Sequence, residues 1–107
     1  MSSLRSMKHR LKATCYDKRG RVISTAENNY RKSHPIQAHF AKLSGRPDAV
    51  YLHAEIAALL KTKDDRPYRI HIERYKKDGS PGLAKPCPAC MLALKAYGVQ
   101  QISYTIG

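Results

Sequence analysis

The chain has 107 residues, with 20 Lys and Arg against 8 Asp and Glu, a formal net charge of +12. That length accommodates one domain, residues 1–107, and excludes a two-domain architecture. With 42% hydrophobic residues and seven Tyr, the composition fits a globular core rather than disorder. No apolar run approaches the roughly 18 residues needed to cross a bilayer, and the basic N-terminus lacks an apolar h-region. A cytoplasmic protein with no membrane association is expected. Nine of the twenty basic residues fall between Arg5 and Lys32. Such a surface predicts the phosphates of a nucleic acid or nucleotide as partner, the plainer alternative being charge that keeps a small protein soluble.

Residues 2–10 carry Leu4 and Met7 at helical spacing, continued by Leu11, which predicts a short basic amphipathic helix. Two β-prone runs, 12–17 and 22–26, flank the turn Lys18-Arg19-Gly20-Arg21 and predict a hairpin. The polar stretch 27–46 offers no clear element beyond a helical turn over 36–43, closed by Ser44-Gly45 and Pro47. Asp48 is a candidate N-cap for a helix running to about Lys61, with Leu52, Ile56, Leu59 and Leu60 on one face. Residues 68–75 alternate as a strand that ends in the turn residues 77–82. A second main helix is predicted from about Pro88 to Gly98, and a last strand over 101–106. The order is helix, hairpin, helix, strand, helix, strand. It predicts an α/β fold, a three-layer α/β/α arrangement around one mixed sheet of about four strands with helices on both faces.

Both main helices open with residue types that ligate metals: His53-Ala54-Glu55 in the first and Pro86-Cys87-Pro88-Ala89-Cys90 in the second. Cys87 and Cys90 are three apart, so one helical turn points both sulfurs the same way. A helix N-terminus stabilises thiolate, the form that binds zinc, and Pro88 is tolerated in a first turn. With His53 these sulfurs make three protein ligands. The fourth tetrahedral position is left for water, the pattern of a catalytic zinc. Glu55 facing that water would be the general acid/base, with zinc-bound hydroxide as nucleophile. Each motif alone has a plainer reading: His-x-Glu as ordinary helix surface, C-x-x-C as a redox pair or half of a structural zinc site. A closed structural site would need Cys15, His34 or His71 as fourth ligand. Cys15 reads better as a core residue of the first strand, His71 as a mid-strand side chain and His34 as a loop residue. Such a site also leaves Glu55 without a task. Tyr30 and Phe40 are either platforms for stacking a base or core filling. Arg5, Lys8, Arg10 and Lys12 are candidate phosphate contacts.

The two motifs, with Cys87 lying 34 positions after His53, resemble the H-x-E…P-C-x-x-C signature of the zinc-dependent base deaminases, the cytidine deaminase-like superfamily. The resemblance runs from the hairpin to the last strand. It implies that fold, one zinc per chain on His53, Cys87 and Cys90, and Glu55 as proton shuttle. The implied reaction is hydrolytic deamination of a nucleobase in a nucleic acid or nucleotide, cytosine before adenine. The stretch from Asp78-Gly79-Ser80 through Lys85 and the Cys pair to Gly98-Val99 looks more like nucleic-acid and base deaminases than free-cytidine enzymes. For substrate binding, the resemblance implies the Ala54 backbone N–H against the base and either Asn28 or Asn29 against the sugar. Lys85, where the family often has Ser, would meet the leaving amine through its carbonyl. Family members commonly continue with another helix and a fifth strand, so a compact, C-terminally short version is expected, as is a homo-oligomer. The alternatives are a deaminase of a free nucleoside or base, and a catalytically silent, zinc-stabilised nucleic-acid-binding module.

Overall fold

A computed structural model of the protein describes residues 10–45, 51–63, 65–76 and 78–106, with backbone alone at 29–33 and 51. The basic helix predicted over 2–10 lies outside the described residues except for Arg10, which begins the first strand. β1 (Arg10–Tyr16) pairs antiparallel with β2 (Val22–Glu27), setting Ala13 opposite Ala26 and Cys15 opposite Ser24. Asp17 holds the turn between them: its Oδ1 accepts from the backbone N–H groups of Arg19 and Arg21, each at 2.9 Å. Gly20 takes a φ of 88° there, a conformation that costs little only without a Cβ.

β5 (Arg69–Tyr75) pairs antiparallel with the other edge of β1, placing Ile72 opposite Ala13 and Ile70 opposite Cys15. Side chains alternate across a strand, so these four fully buried residues line one face of the sheet. The other face carries Thr14, Arg69 and His71. There the His71 Nδ1 lies 2.8 Å from Ser103 Oγ, and the Arg69 guanidinium sits 4.0 Å over the Tyr16 ring. β7 (Gln101–Tyr104) runs parallel to β5. A parallel neighbour requires a crossover, which α3 (Pro88–Ala96) supplies. The two-residue β6 (Pro81–Gly82) also pairs with β5 and completes a mixed five-stranded sheet. Its four longer strands are the four predicted.

Two further short strands were not predicted. β3 (Asn29–Ser33) and β4 (Tyr51–Leu52) form a separate two-stranded sheet on either side of α1 (Pro35–Leu43). His34 is the N-cap of α1, its Nδ1 accepting from the Ile36 N–H at 3.0 Å, and Pro35 opens the helix. The predicted turn over 36–43 is therefore a full helix with a side-chain cap, and the loop histidine is that cap.

α2 (Ala54–Leu60) begins six residues later than the predicted N-cap at Asp48, which lies outside the described residues. The reason for the late start is tertiary. Tyr51 and Leu52 are extended in the ladder with β3, and His53, at φ −79° and ψ 154°, is the actual N-cap. Apolar spacing at Leu52 continued the helical pattern into residues whose backbone is committed to a strand. α2 is buried from Ala54 to Leu59 because it lies on β1 and β2 and against α3. Ser24 Oγ clamps it to the sheet by donating to the Ala58 carbonyl at 2.8 Å. Ile56, Leu59, Ile70, Ile72 and Leu94 are the large, fully buried side chains of the core. α3 ends in a Schellman motif, with Val99 N–H to Leu94 O and Gly98 N–H to Lys95 O, both 3.0 Å, around Gly98 at φ 81°. No helix among the described residues is long and apolar enough to cross a membrane.

Candidate metal centre and active site

The site is built where the starts of α2 and α3 meet. His53 and Cys87 are the N-caps of the two helices, both with extended backbone and neither using its side chain to cap. Their side chains are thereby released from the helix ends and turned toward each other. Cys90 sits one turn into α3, where Pro88 at N1 starts the helix at no hydrogen-bond cost. The His53 Nδ1 lies 3.2 Å from Cys90 Sγ and 3.5 Å from Cys87 Sγ. One ligand atom from each of the three residues falls within 4.8 Å of the others.

Those distances test the fit of a metal. Zn–S bonds of about 2.3 Å and Zn–N bonds of about 2.0–2.1 Å at a tetrahedral angle separate sulfur and nitrogen by roughly 3.5 Å. The observed separations match within a few tenths of an ångström. The chemistry of the donors agrees. The hydrogen bond from the Cys90 side chain outweighs the opposing effect of burial and, with the bond and charge of His53 and the Cys90 backbone N–H, holds the Cys87 thiol down at about 4, which favours its thiolate. The bond to that thiolate, then burial and the charge of Glu55, push Cys90 up. At His53, burial lowers the pKa but is outweighed by the Cys87 hydrogen bond and by the charges of Cys87 and Glu55. The Cys90 and His53 side chains thus hold the Cys87 sulfur in its charged form, as a bound cation would.

Glu55 is 4% exposed on the second residue of α2. Burial, the largest effect, raises its pKa against the opposing bonds from its own backbone N–H and from Cys90 and the charge of His53. A carboxyl so placed, next to the sulfur cluster, takes up a proton more readily than one in water. Ala54 is buried at the first position of α2, where helix geometry leaves its N–H without an intrahelical acceptor. Lys85 is exposed two residues before Cys87.

The two asparagines differ. Asn28 Oδ1 accepts from the Leu11 N–H, and its own N–H donates to the Leu11 carbonyl, both at 3.2 Å, so it extends the hairpin. Asn29 pairs with Leu52, the residue before His53. Cys15 is fully buried in β1 and His71 is hydrogen-bonded to Ser103. Neither belongs to the metal-ligating group, nor does His34. Phe40 packs in the core; of Tyr30 only the backbone is described, and Arg5 and Lys8 lie outside the described residues. Arg10 pairs with Glu27 at 3.8 Å.

One contributor escaped the sequence reading. Gln37, fully buried on α1, accepts the His53 backbone N–H on its Oε1 at 3.1 Å. A polar residue between Ile36 and Phe40 on a helix was the available signal, but its partner lies 16 residues away.

No family model matches the chain, and no curated protein sequence matches it. A search of solved structures finds similarity to a mutant cytidine deaminase from Mycobacterium tuberculosis. The two share 19% identity with a TM-score of 0.50 over 92% of this chain and 72% of that one. At this identity the likeness speaks to fold. The chain has the cytidine deaminase-like fold, and at the joined starts of its two buried helices it carries a His/Cys/Cys group able to hold a metal ion.

Proposed function

We propose that the protein is a zinc-dependent hydrolase that deaminates a nucleobase, cytosine before adenine, within a nucleic acid or nucleotide. The observation that carries this reading is the meeting of His53, Cys87 and Cys90 with the buried carboxyl of Glu55 on a cytidine deaminase-like fold. One zinc per chain on those three ligands would supply a water acidified to a pKa of about 7. Glu55 takes the proton of the attacking water and delivers it to the ring nitrogen. A C–O bond forms at the amine-bearing carbon; Glu55 then takes the proton of the new hydroxyl and passes it to the amino group, and the C–N bond breaks to leave a carbonyl and ammonia. The Ala54 N–H orients the base. Either Asn28 or Asn29 meets the sugar; the Asn28 Oδ1 also accepts from the Leu11 N–H. Lys85 offers its carbonyl to the amine. The net charge of +12 favours a polyanionic substrate. A cytoplasmic homo-oligomer is part of the same proposal.

Deamination of a free nucleoside is the second reading, favoured by the name of the structural neighbour, a cytidine deaminase. An ammonia-release screen over single-stranded DNA, RNA, tRNA and free cytosine and adenine compounds separates the two. Glu55→Gln should abolish ammonia release while the protein retains one zinc per chain. Undiminished turnover in that variant would refute the mechanism, and zinc retention without turnover on any substrate in the parent would leave the silent binding module.

A further inference from the structure

The metal centre uses none of a group of cations gathered at the far end of α3. There a cleft of about 800 Å³ lies between the β1–β2 turn, the residues leading into β5 and the C-terminal end of α3. Lys18, Arg19 and Arg21 line it from the turn, and Arg66 lines it from the residues leading into β5. Asp17 is the one acidic residue in the lining, and its carboxylate is committed. Oδ1 holds the Arg19 and Arg21 N–H groups, and Oδ2 accepts from Arg21 Nε at 3.0 Å. Lys18, Arg19 and Arg66 are exposed and have no carboxylate partner among the described residues. Asp17 therefore does not neutralise the cleft; it fixes the turn that presents two of the three unpaired cations.

Like charges held around one cleft raise its positive potential and draw in an anion. The cations come from two segments of the chain, the turn and the approach to β5, and the cleft far exceeds the size of one phosphate, so a chain of phosphates fits better than a single ion. Tyr68 and Tyr97 line the same cleft. Aromatic rings interleaved with cations suit unpaired bases, which stack irrespective of sequence.

We propose that this cleft is a second, non-catalytic site for single-stranded nucleic acid, with Lys18, Arg19 and Arg66 on its phosphates and Tyr68 and Tyr97 against its bases. It lies on the order of 10–15 Å from the two cysteines, by the rise of α3. It holds a strand whether or not the metal centre deaminates, and if that centre does, it keeps a polymeric substrate on the protein between turnovers.

The test is binding, read apart from ammonia release. Fluorescence anisotropy of a labelled single-stranded 12-mer is followed over a salt series with the full chain and with a Lys18→Ala, Arg19→Ala, Arg66→Ala triple variant. All three positions are exposed, and circular dichroism checks the fold. Affinity should fall at least about tenfold, and the log–log salt slope should flatten by roughly 2 for three lost phosphate contacts. An equal-charge control, Lys42→Ala, Lys61→Ala, Lys76→Ala, should weaken binding less. Equal weakening in the two triples would show general charge attraction and overturn the site. Inorganic polyphosphate and poly-glutamate should compete more weakly than an unlabelled 12-mer. Equal competition by polyphosphate would overturn the base contacts, and equal competition by poly-glutamate would reassign the cleft to an acidic protein partner.

Discussion

Replacing Gln37 by Met separates the positioning of His53 from the stability of the core. In the parent, Gln37 Oε1 accepts the His53 N–H at 3.1 Å, whereas its buried Nε2 has no hydrogen-bond partner among the described residues. Gln37→Met removes the acceptor, which costs about 1 kcal/mol for the bond and up to about 1–3 kcal/mol if the His53 N–H is left unsatisfied. It also removes the unsatisfied Nε2, whose burial carries a penalty of about 1–3 kcal/mol in the parent. The two changes have similar size and opposite sign, and Met fills nearly the same volume. The metal-free midpoint should therefore move by no more than the roughly 4–8 °C that corresponds to 1 kcal/mol in a domain of this size. Zinc affinity behaves differently, because a group that orients a ligand contributes about 10–100-fold. The assays are thermal unfolding in chelator and zinc competition against a chelating dye. A zinc affinity within twofold of the parent would refute the positioning role. A stability loss as large as that of the cavity-forming Gln37→Ala would refute the cancellation.

Cys87→Ser should abolish zinc-dependent stabilisation. In the parent, free zinc at 100 times its dissociation constant should add about 2.7 kcal/mol, which a chelator removes, and thermal scans with and without zinc report both. Asp17→Asn tests the turn. The backbone N–H of Arg21, then the Arg21 side chain and the Arg19 N–H, hold the Asp17 carboxyl below its usual 3.8. A lowered carboxyl stabilises the fold above that value and loses the contribution as pH falls through the folded pKa. The variant should therefore have a lower midpoint than the parent at pH 7, with the gap closing below about pH 4; a gap independent of pH would contradict the assignment. Gly98→Ala should cost about 1–2 kcal/mol by denaturant titration through backbone strain alone, since φ is 81° and an added Cβ would meet nothing within 4 Å.

The sequence by itself determined the metal-ligating residue types and most of the frame. Two cysteines three apart behind a proline, and a histidine two before a glutamate, are local patterns that name candidate ligands and a candidate acid/base without naming their partners. The alternation of Ala13, Cys15, Ile70 and Ile72 likewise marks a buried strand face before any partner is known. Tertiary structure decided what depends on partners distant in the chain. The start of α2 moved to Ala54 because Tyr51 and Leu52 are taken into a ladder with β3, a commitment that helical spacing cannot register. Two-residue strands such as β4 and β6 carry no periodicity at all. The union of His53 with Cys87 and Cys90, and the role of Gln37 beneath it, exist only because α1, α2 and α3 pack together. The charge follows the same division. Its sign and size are legible in composition, but its concentration in a cleft at the end of α3, with Asp17 occupied in holding a turn, depends on the fold. Composition counts charges, and only packing sets the distances over which they act.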